Sequence, residues 1–222
     1  MGLAHALAVR GLPIDTDKAN EWQKEVYDEI AYHTVKASMN LAIEKDDVAP
    51  AFKTSKWADG SYIEGKFKKH SDHKDRWEDL KNEVVENGLY STILLATAPT
   101  ETISYVSNTS AGNDPIFNKE FTLEKAGVAM NMVVPDINAR NFFVYKDGFV
   151  IDKKKFLEGV GIRQQFIDQA ISTNMYYIQD NLKAIQLVQD YVTAWKHGAK
   201  TLYYHRSESK EAYETMCESC AG

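Results

Sequence analysis

Three short stretches of this 222-residue chain combine residue types that could do chemistry. Near the C-terminus two adjacent tyrosines, Tyr203 and Tyr204, close the apolar stretch KTLYYH. The chain's only two cysteines follow in Cys217-Glu218-Ser219-Cys220. Much earlier, LLATAPTETISYVSNTSAGNDPIF runs from an apolar segment into Pro99, Thr100, Glu101, Thr102, Ile103 and Ser104.

Each stretch has a chemical reading and a plain one. A strand followed by proline and a threonine cap is helix-start chemistry. Unpaired N–H groups at such a start, with nearby hydroxyls, suit a diphosphate. The same residues also make an ordinary capping box with no ligand. Glu101 is awkward beside an anion, so it would act through its N–H or on a ribose hydroxyl. Paired phenols can relay a proton and an electron over a distance too long for one hop. On a strand, however, neighbours face opposite ways, so one ring would be core and the other surface. Tyr176-Tyr177 is a competing pair with the same structural explanation. The CxxC lacks the βαβ setting of a thioredoxin motif and the further ligands of a zinc site. A mobile dithiol exchanging with an external reductant fits its place on a polar tail.

The elements that must position these groups follow from the hydrophobic pattern. Trp22, Val26, Ile30, Met39, Leu41 and Ala42 predict a helix over about 18–44. Ser71 or Asp72 caps a second, with Trp77, Leu80 and Val84 inward and Gly88 as its stop. Leu89–Pro99 reads as a buried strand, AMNMVVPDI as another ended by Pro135, and NFFVYKDGFVI as two extended runs about a turn. A helix is expected from Gly161 through Ile171. Another, about Asn181 to His197, carries Ile185, Val188, Val192 and Trp195 and stops at Gly198. KTLYYH would then be a strand and everything past Arg206 a polar tail. Helices alternate with short strands, which is the α/β pattern.

Composition narrows the function. The chain is 44% apolar, enough for a sizeable core, and its net charge of −6 argues against nucleic acid or a membrane surface as partner. It contains no apolar run of transmembrane length, and two tail cysteines cannot staple a fold, so a cytoplasmic setting is expected. Several apolar faces lack partners in so short a chain, which suggests part of a larger fold.

In combination these segments resemble the C-terminal part of the large (α, catalytic) subunit of class I ribonucleotide reductase. The resemblance runs the whole length: GLAHALAVRGLPID, KASMNLAIEK, GLYSTILLATAPTETISYVSNTSAGNDPIF, VVPDI, IRQQFIDQAISTNMYY, AWKHGAKTLYYHRS and CESCAG. It implies the C-terminal part of a ten-stranded α/β barrel over residues 1–205 and a flexible redox-active tail over 206–222. It implies that Pro99, Thr100, Glu101, Thr102, Ile103 and Ser104 hold the nucleotide's phosphates, with Ile103 standing where some members carry a hydroxyl. Tyr203 and Tyr204 match the radical-transfer pair. Cys217 and Cys220 match the tail dithiol, which reduces the active-site disulfide and is itself reduced by thioredoxin or glutaredoxin; other members space these cysteines more widely. No bound cofactor or metal is expected in this chain, the dimetal-radical cofactor belonging to a separate small (β) subunit.

The implied reaction converts ribonucleoside diphosphates to deoxyribonucleotides for DNA replication. The family's thiyl-forming cysteine, reducing cysteine pair, and barrel Asn and Glu have no counterpart here, since no cysteine precedes Cys217. The chain alone is therefore expected to be inactive and to need the N-terminal part of the subunit, as in a split gene or a truncated piece. Two competing readings are a non-catalytic remnant serving as an interaction surface and a free-standing thiol–disulfide protein.

Overall fold

A computed structural model describes residues 1–125 and 128–218, with the side chains of 123–125, 128, 130 and 215–218 excepted. In chain order the elements are α1 (Leu3–Val9), α2 (Asp17–Lys45), α3 (Ser61–Ile63) leading into a π-helical turn (Glu64–Lys68), α4 (Lys74–Asn87) and α5 (Glu101–Val106). Then come β1 (Glu120–Lys125), β2 (Val128–Val133), α6 (Lys153–Phe166), β3 (Met175–Ile178), α7 (Ala184–Lys196), β4 (His205–Glu208) and α8 (Lys210–Glu218). β1 and β2 pair antiparallel, Glu120 opposite Val133. β3 and β4 pair parallel, Met175 opposite His205, with α7 as the crossover. That β3–α7–β4 unit is the element of an α/β fold.

The chain forms two compact units. One comprises Met1–Asn20, Thr97–Val160 and Ile171–Gly222, the other Glu21–Ala96 and Gly161–Ala170. In the second unit, Ala31, Val35 and Met39 of α2 pack with Trp77, Leu80 and Val84 of α4, around Phe52, Trp57, Ile63 and Phe67. α4 buries the face its sequence predicts. α2 does not: Ile30 and Leu41 are exposed, and the buried stripe includes Gln23, Asp28 and Ser38. Small and polar residues were invisible to a search for large apolar ones. Asp28 is satisfied by the Ser71 hydroxyl and by Trp77 Nε1 at 2.6 Å. The N-cap of α4 is His73 and not Ser71 or Asp72: Ser71 Oγ accepts from the His73 N–H (2.9 Å) just before the helix, and Gly88 ends it at φ +80°.

Other expectations need correction. Leu89–Pro99 is extended but is not a ladder strand: only Thr97 bridges, to Ile171. The N–H groups of Leu94 and Leu95 are taken by the Asp168 carboxylate, which does a neighbouring strand's work. NFFVYKDGFVI holds no strand on either side of its turn: Asp147 bridges to Ile116, and the chain turns before it because the Asn141 side chain accepts from the Asn138 N–H and donates to Asp136 O. α6 begins at Lys153 rather than at Gly161. The Asp152 carboxylate caps it by accepting from the Lys155 N–H at 3.1 Å, a signal hidden in a charged run. It stops at Phe166, where Gln164 Nε2 donates to the carbonyls of Ile167 and Gln169. KTLYYH lies mostly before its strand, which is β4, and the stretch past Arg206 includes the rest of β4 and then α8.

Buried phenols make stability sensitive to alkali. Tyr62 and Tyr145 are each pushed up to about 12, by burial first and then by Asp168 and Asp136 respectively. Burial pushes Tyr176 and Tyr177 higher still, and the bond from Tyr177 to Asp190 (2.8 Å) adds to it. The folded chain holds these protons more tightly than the unfolded chain, so the stability they confer is complete below the ordinary phenol value. It is lost as pH rises from there through the folded values. The urea midpoint is expected to hold steady up to about pH 9 and to fall from there to about pH 12. A flat profile over that window would contradict the burial of these rings.

Candidate functional site

A cavity of ≈ 130 Å³ in the first unit collects most of the residues singled out from the sequence. Pro99, Thr100, Glu101 and Ser104 form one wall, the Asn108–Gly112 loop and the end of β2 form others, and Tyr203, Tyr204 and Arg206 close it. Thr102 and Ile103 are exposed outside this lining.

Thr100 occupies the N-cap position of α5, so Pro99 lies before the helix and not in its first turn. The Thr100 hydroxyl makes no bond to the helix start. It accepts instead from the Gly112 N–H at 3.0 Å, which ties the two walls together. Ser104 is fully buried and donates to Glu101 O at 2.6 Å, which tightens the turn. A helix of six residues carries little dipole. An anion here would therefore depend on hydroxyls, on the N–H groups of the helix start and on the nearby cation.

That cation is Arg206, whose Nη2 lies 2.9 Å from Glu101 Oε2. The pair leaves the Glu101 carboxylate charge-compensated within the cavity wall. The same carboxylate, after burial, helps to hold the Tyr105 phenol above its ordinary range. Arg206 was not among the sequence candidates. A signal existed: in extended chain, residues two apart share a face, so Arg206 follows wherever Tyr204 points.

The tyrosine pair departs from strand geometry. The Tyr203 hydroxyl donates to that of Tyr204 at 3.0 Å, the ring centroids lie 3.9 Å apart, and both rings line the cavity instead of facing opposite ways. They precede β4, held by the Tyr203 N–H to Thr173 O and by the Met175 N–H to Tyr204 O, both 2.8 Å. Their hydrogen bond is the first cause raising the Tyr203 phenol above its usual value. Tyr176 and Tyr177, by contrast, are both buried in β3, so neither is the surface ring that alternation along a strand would give.

Tyr176 also forms part of the cavity wall, packed edge-on against Phe149 and over Gly148. A Cβ at Gly148 would lie 2.2 Å from Tyr176 Cδ2. Gly148→Ala is expected to cost about 1–3 kcal/mol by overpacking and to displace Tyr176, detected as a lower urea midpoint with altered tyrosine fluorescence. Unchanged stability would mean that this contact relaxes freely.

The backbone of Cys217 belongs to α8, while its thiol and all of Cys220 lie outside the described residues. Among the described residues, no three His, Cys, Asp or Glu side chains converge as a metal site, and no helix is long and apolar enough to cross a membrane.

Residues 1–205 match the family model for the ribonucleotide reductase barrel domain. The ribonucleoside-diphosphate reductase subunit alpha of Treponema pallidum is 35% identical over 221 residues, covering 99% of this chain and 25% of that protein. The Helicobacter pylori subunit alpha is 31% identical over 94% of this chain and 28% of its own length. That of Haemophilus influenzae is 33% identical over 99% and 31% respectively. The chain thus spans a quarter to a third of the length of these relatives.

Proposed function

The chain belongs to the ribonucleotide reductase barrel-domain family, and from that premise we propose that it is the C-terminal portion of a ribonucleoside-diphosphate reductase large subunit, forming one wall of an active site that the rest of the subunit completes. The observation that carries this reading is the meeting of the 99–104 segment and the Tyr203–Tyr204 pair at one cavity. At ≈ 130 Å³ that cavity is smaller than the roughly 300–1,000 Å³ of small-molecule sites. It has room for phosphate groups, and the nucleoside would rest against the remainder of the subunit.

In this reading the segment Pro99, Thr100, Glu101, Thr102, Ile103 and Ser104 holds the diphosphate, the N–H groups of its helix start and the threonine hydroxyls donating, Pro99 and Ser104 shaping the turn, and Arg206 nearby. Tyr203 and Tyr204 pass an oxidising equivalent, Tyr203 giving up an electron as its proton moves along the 3.0 Å hydrogen bond to the Tyr204 oxygen, and both returning when Tyr203 is reduced. A dimetal-radical cofactor in a separate small subunit would supply that equivalent, and a cysteine outside this chain would receive it. The ribose 2′-hydroxyl leaves as water, and the two electrons come from a dithiol that becomes a disulfide. Cys217 and Cys220 are the dithiol that restores it, recharged by thioredoxin or glutaredoxin.

Binding measurements on the assembled subunit test the phosphate assignment. Thr100→Val is expected to weaken cytidine diphosphate binding by roughly tenfold to a hundredfold, as for one hydrogen bond to a charged group, and to leave cytidine binding unchanged. Equal effects on both ligands, or none on either, would remove this segment from phosphate recognition.

A further inference from the structure

We propose that Thr109 is a further phosphate ligand of the cavity, and that His5, paired with Asp136, is the positioning residue that frees its hydroxyl for an anion by taking up a proton; this rests on the phosphate reading above. Thr109 lines the cavity, whereas His5 and Asp136 stand behind its wall. His5 Nδ1 lies 3.2 Å from Thr109 Oγ1, and His5 Nε2 lies 2.9 Å from Asp136 Oδ2. Further contacts hold this arrangement. The Thr109 N–H donates to Ser104 O at 3.0 Å, the His5 N–H to Ser110 Oγ at 3.1 Å and the Gly2 N–H to Ser110 O at 2.8 Å. Gly2, at φ +91°, comes so near that a Cβ there would lie 2.9 Å from Thr109 Oγ1.

The direction of these bonds follows from the carboxylate. A ring nitrogen at hydrogen-bond distance from a carboxylate oxygen carries the proton, because two acceptors repel each other. With Nε2 protonated, a neutral imidazole presents a bare Nδ1, which accepts the Thr109 O–H and turns that proton away from the cavity. Imidazolium carries N–H at both positions. Its Nδ1 donates to Thr109 Oγ1, and the Thr109 O–H is then free to donate to a phosphate oxygen. An anion in the cavity therefore favours the charged ring, and the charged ring favours the anion to the same degree. Histidine changes charge near neutrality, so both states lie within the working range. Asp136 is the charged group that faces the ring, since α1 and the 108–112 loop contain no Asp, Glu, Lys or Arg. The Tyr145 phenol, clustered with Ala4 and Ala8 of α1, donates to Pro135 O and is pushed up to about 12 by burial and then by Asp136, so it stays neutral.

The test measures cytidine diphosphate and cytidine binding by the assembled subunit at about pH 6 and about pH 8. Thr109→Val keeps the shape and loses the hydroxyl; it is expected to weaken cytidine diphosphate roughly tenfold at the lower pH and to leave cytidine unchanged. His5→Asn places an amide N–H where Nδ1 stood and does not titrate, whereas His5→Gln reaches only the Nε2 position. His5→Asn is expected to keep diphosphate affinity at both pH values, and His5→Gln to lose it as Thr109→Val does. Relative to His5→Asn, the unaltered subunit should lose about tenfold more affinity across this range, the titration of the phosphate itself being common to both. Should the position-5 variants fail to fold, proton uptake on binding decides: calorimetry in two buffers of different ionisation enthalpy should show less of it in Thr109→Val. Unaltered diphosphate affinity in Thr109→Val, coincident pH profiles for His5→Asn and the unaltered subunit, or equal proton uptake overturns the proposal and leaves the phosphate reading standing. Equal affinity for cytidine diphosphate and cytidine in the unaltered subunit defeats that reading, and the proposal with it.

Discussion

Tyr203→Phe in the assembled enzyme is expected to lower cytidine diphosphate reduction at least about a thousandfold, equivalent to roughly 4 kcal/mol of barrier, with substrate affinity unchanged. Phenylalanine keeps the ring that lies 3.9 Å from Tyr204 but removes the hydroxyl that donates to it at 3.0 Å. A ring without that O–H has no proton to release with its electron, so a relay through position 203 is broken. If the pair were only packing, the change would remove one half-exposed hydrogen bond, and turnover would survive. The reciprocal variant has a spectroscopic signature. In Tyr204→Phe the Tyr203 phenol loses the bond that raises it, so its ionisation, followed by tyrosinate absorbance, is expected to move back down. Turnover within a few-fold of wild type in Tyr203→Phe would exclude the relay.

Trp77→Ala is expected to cost the second unit about 4 kcal/mol or more. Trp77 is fully buried, stacked on Phe67 at 4.9 Å and edge-on to Tyr32 at 5.4 Å. Truncating such a ring costs about 3–5 kcal/mol through lost burial and the cavity left behind. The indole N–H is also a partner of the buried Asp28 carboxylate, so its removal adds a desolvation penalty of about 1–3 kcal/mol. Against total stabilities of about 5–15 kcal/mol, such losses leave the unit marginal or unfolded. Trp77→Phe keeps most of the volume and loses only the N–H. It separates the two contributions and should cost about half as much or less. Urea unfolding followed by circular dichroism measures both. A loss below about 1 kcal/mol for Trp77→Ala would mean that α2 and α4 are not held together in this way.

How much of this could be read from residues alone depended on whether a feature is written in large apolar side chains. α4 was legible because Trp77, Leu80 and Val84 mark its buried face. α7 was legible in extent, with Gly198 at φ +84° just past its end, but its apolar face turned out to be exposed. Periodicity locates a helix face and does not say whether the partner of that face is on the same chain. β2 ended before Pro135 as expected, since proline cannot extend a ladder. The strand over Leu89–Pro99 was not confirmed, because apolar density cannot show that Asp168 takes the backbone N–H groups. At the candidate site the segment from Pro99 and the tyrosine pair were visible as motifs. That they share a cavity was not, nor was the ion pair of Glu101 with Arg206, since the residues involved stand about a hundred positions apart.

The central claim is that this chain supplies working parts of a ribonucleotide reductase, and one assay tests it most directly. The chain is mixed with the remainder of the large subunit, the small subunit and a dithiol reductant, and deoxycytidine diphosphate is measured with and without the chain. The account predicts product over many turnovers only when the chain is present. A complex that assembles and binds cytidine diphosphate yet makes no product, or one that makes product equally well without this chain, would contradict it.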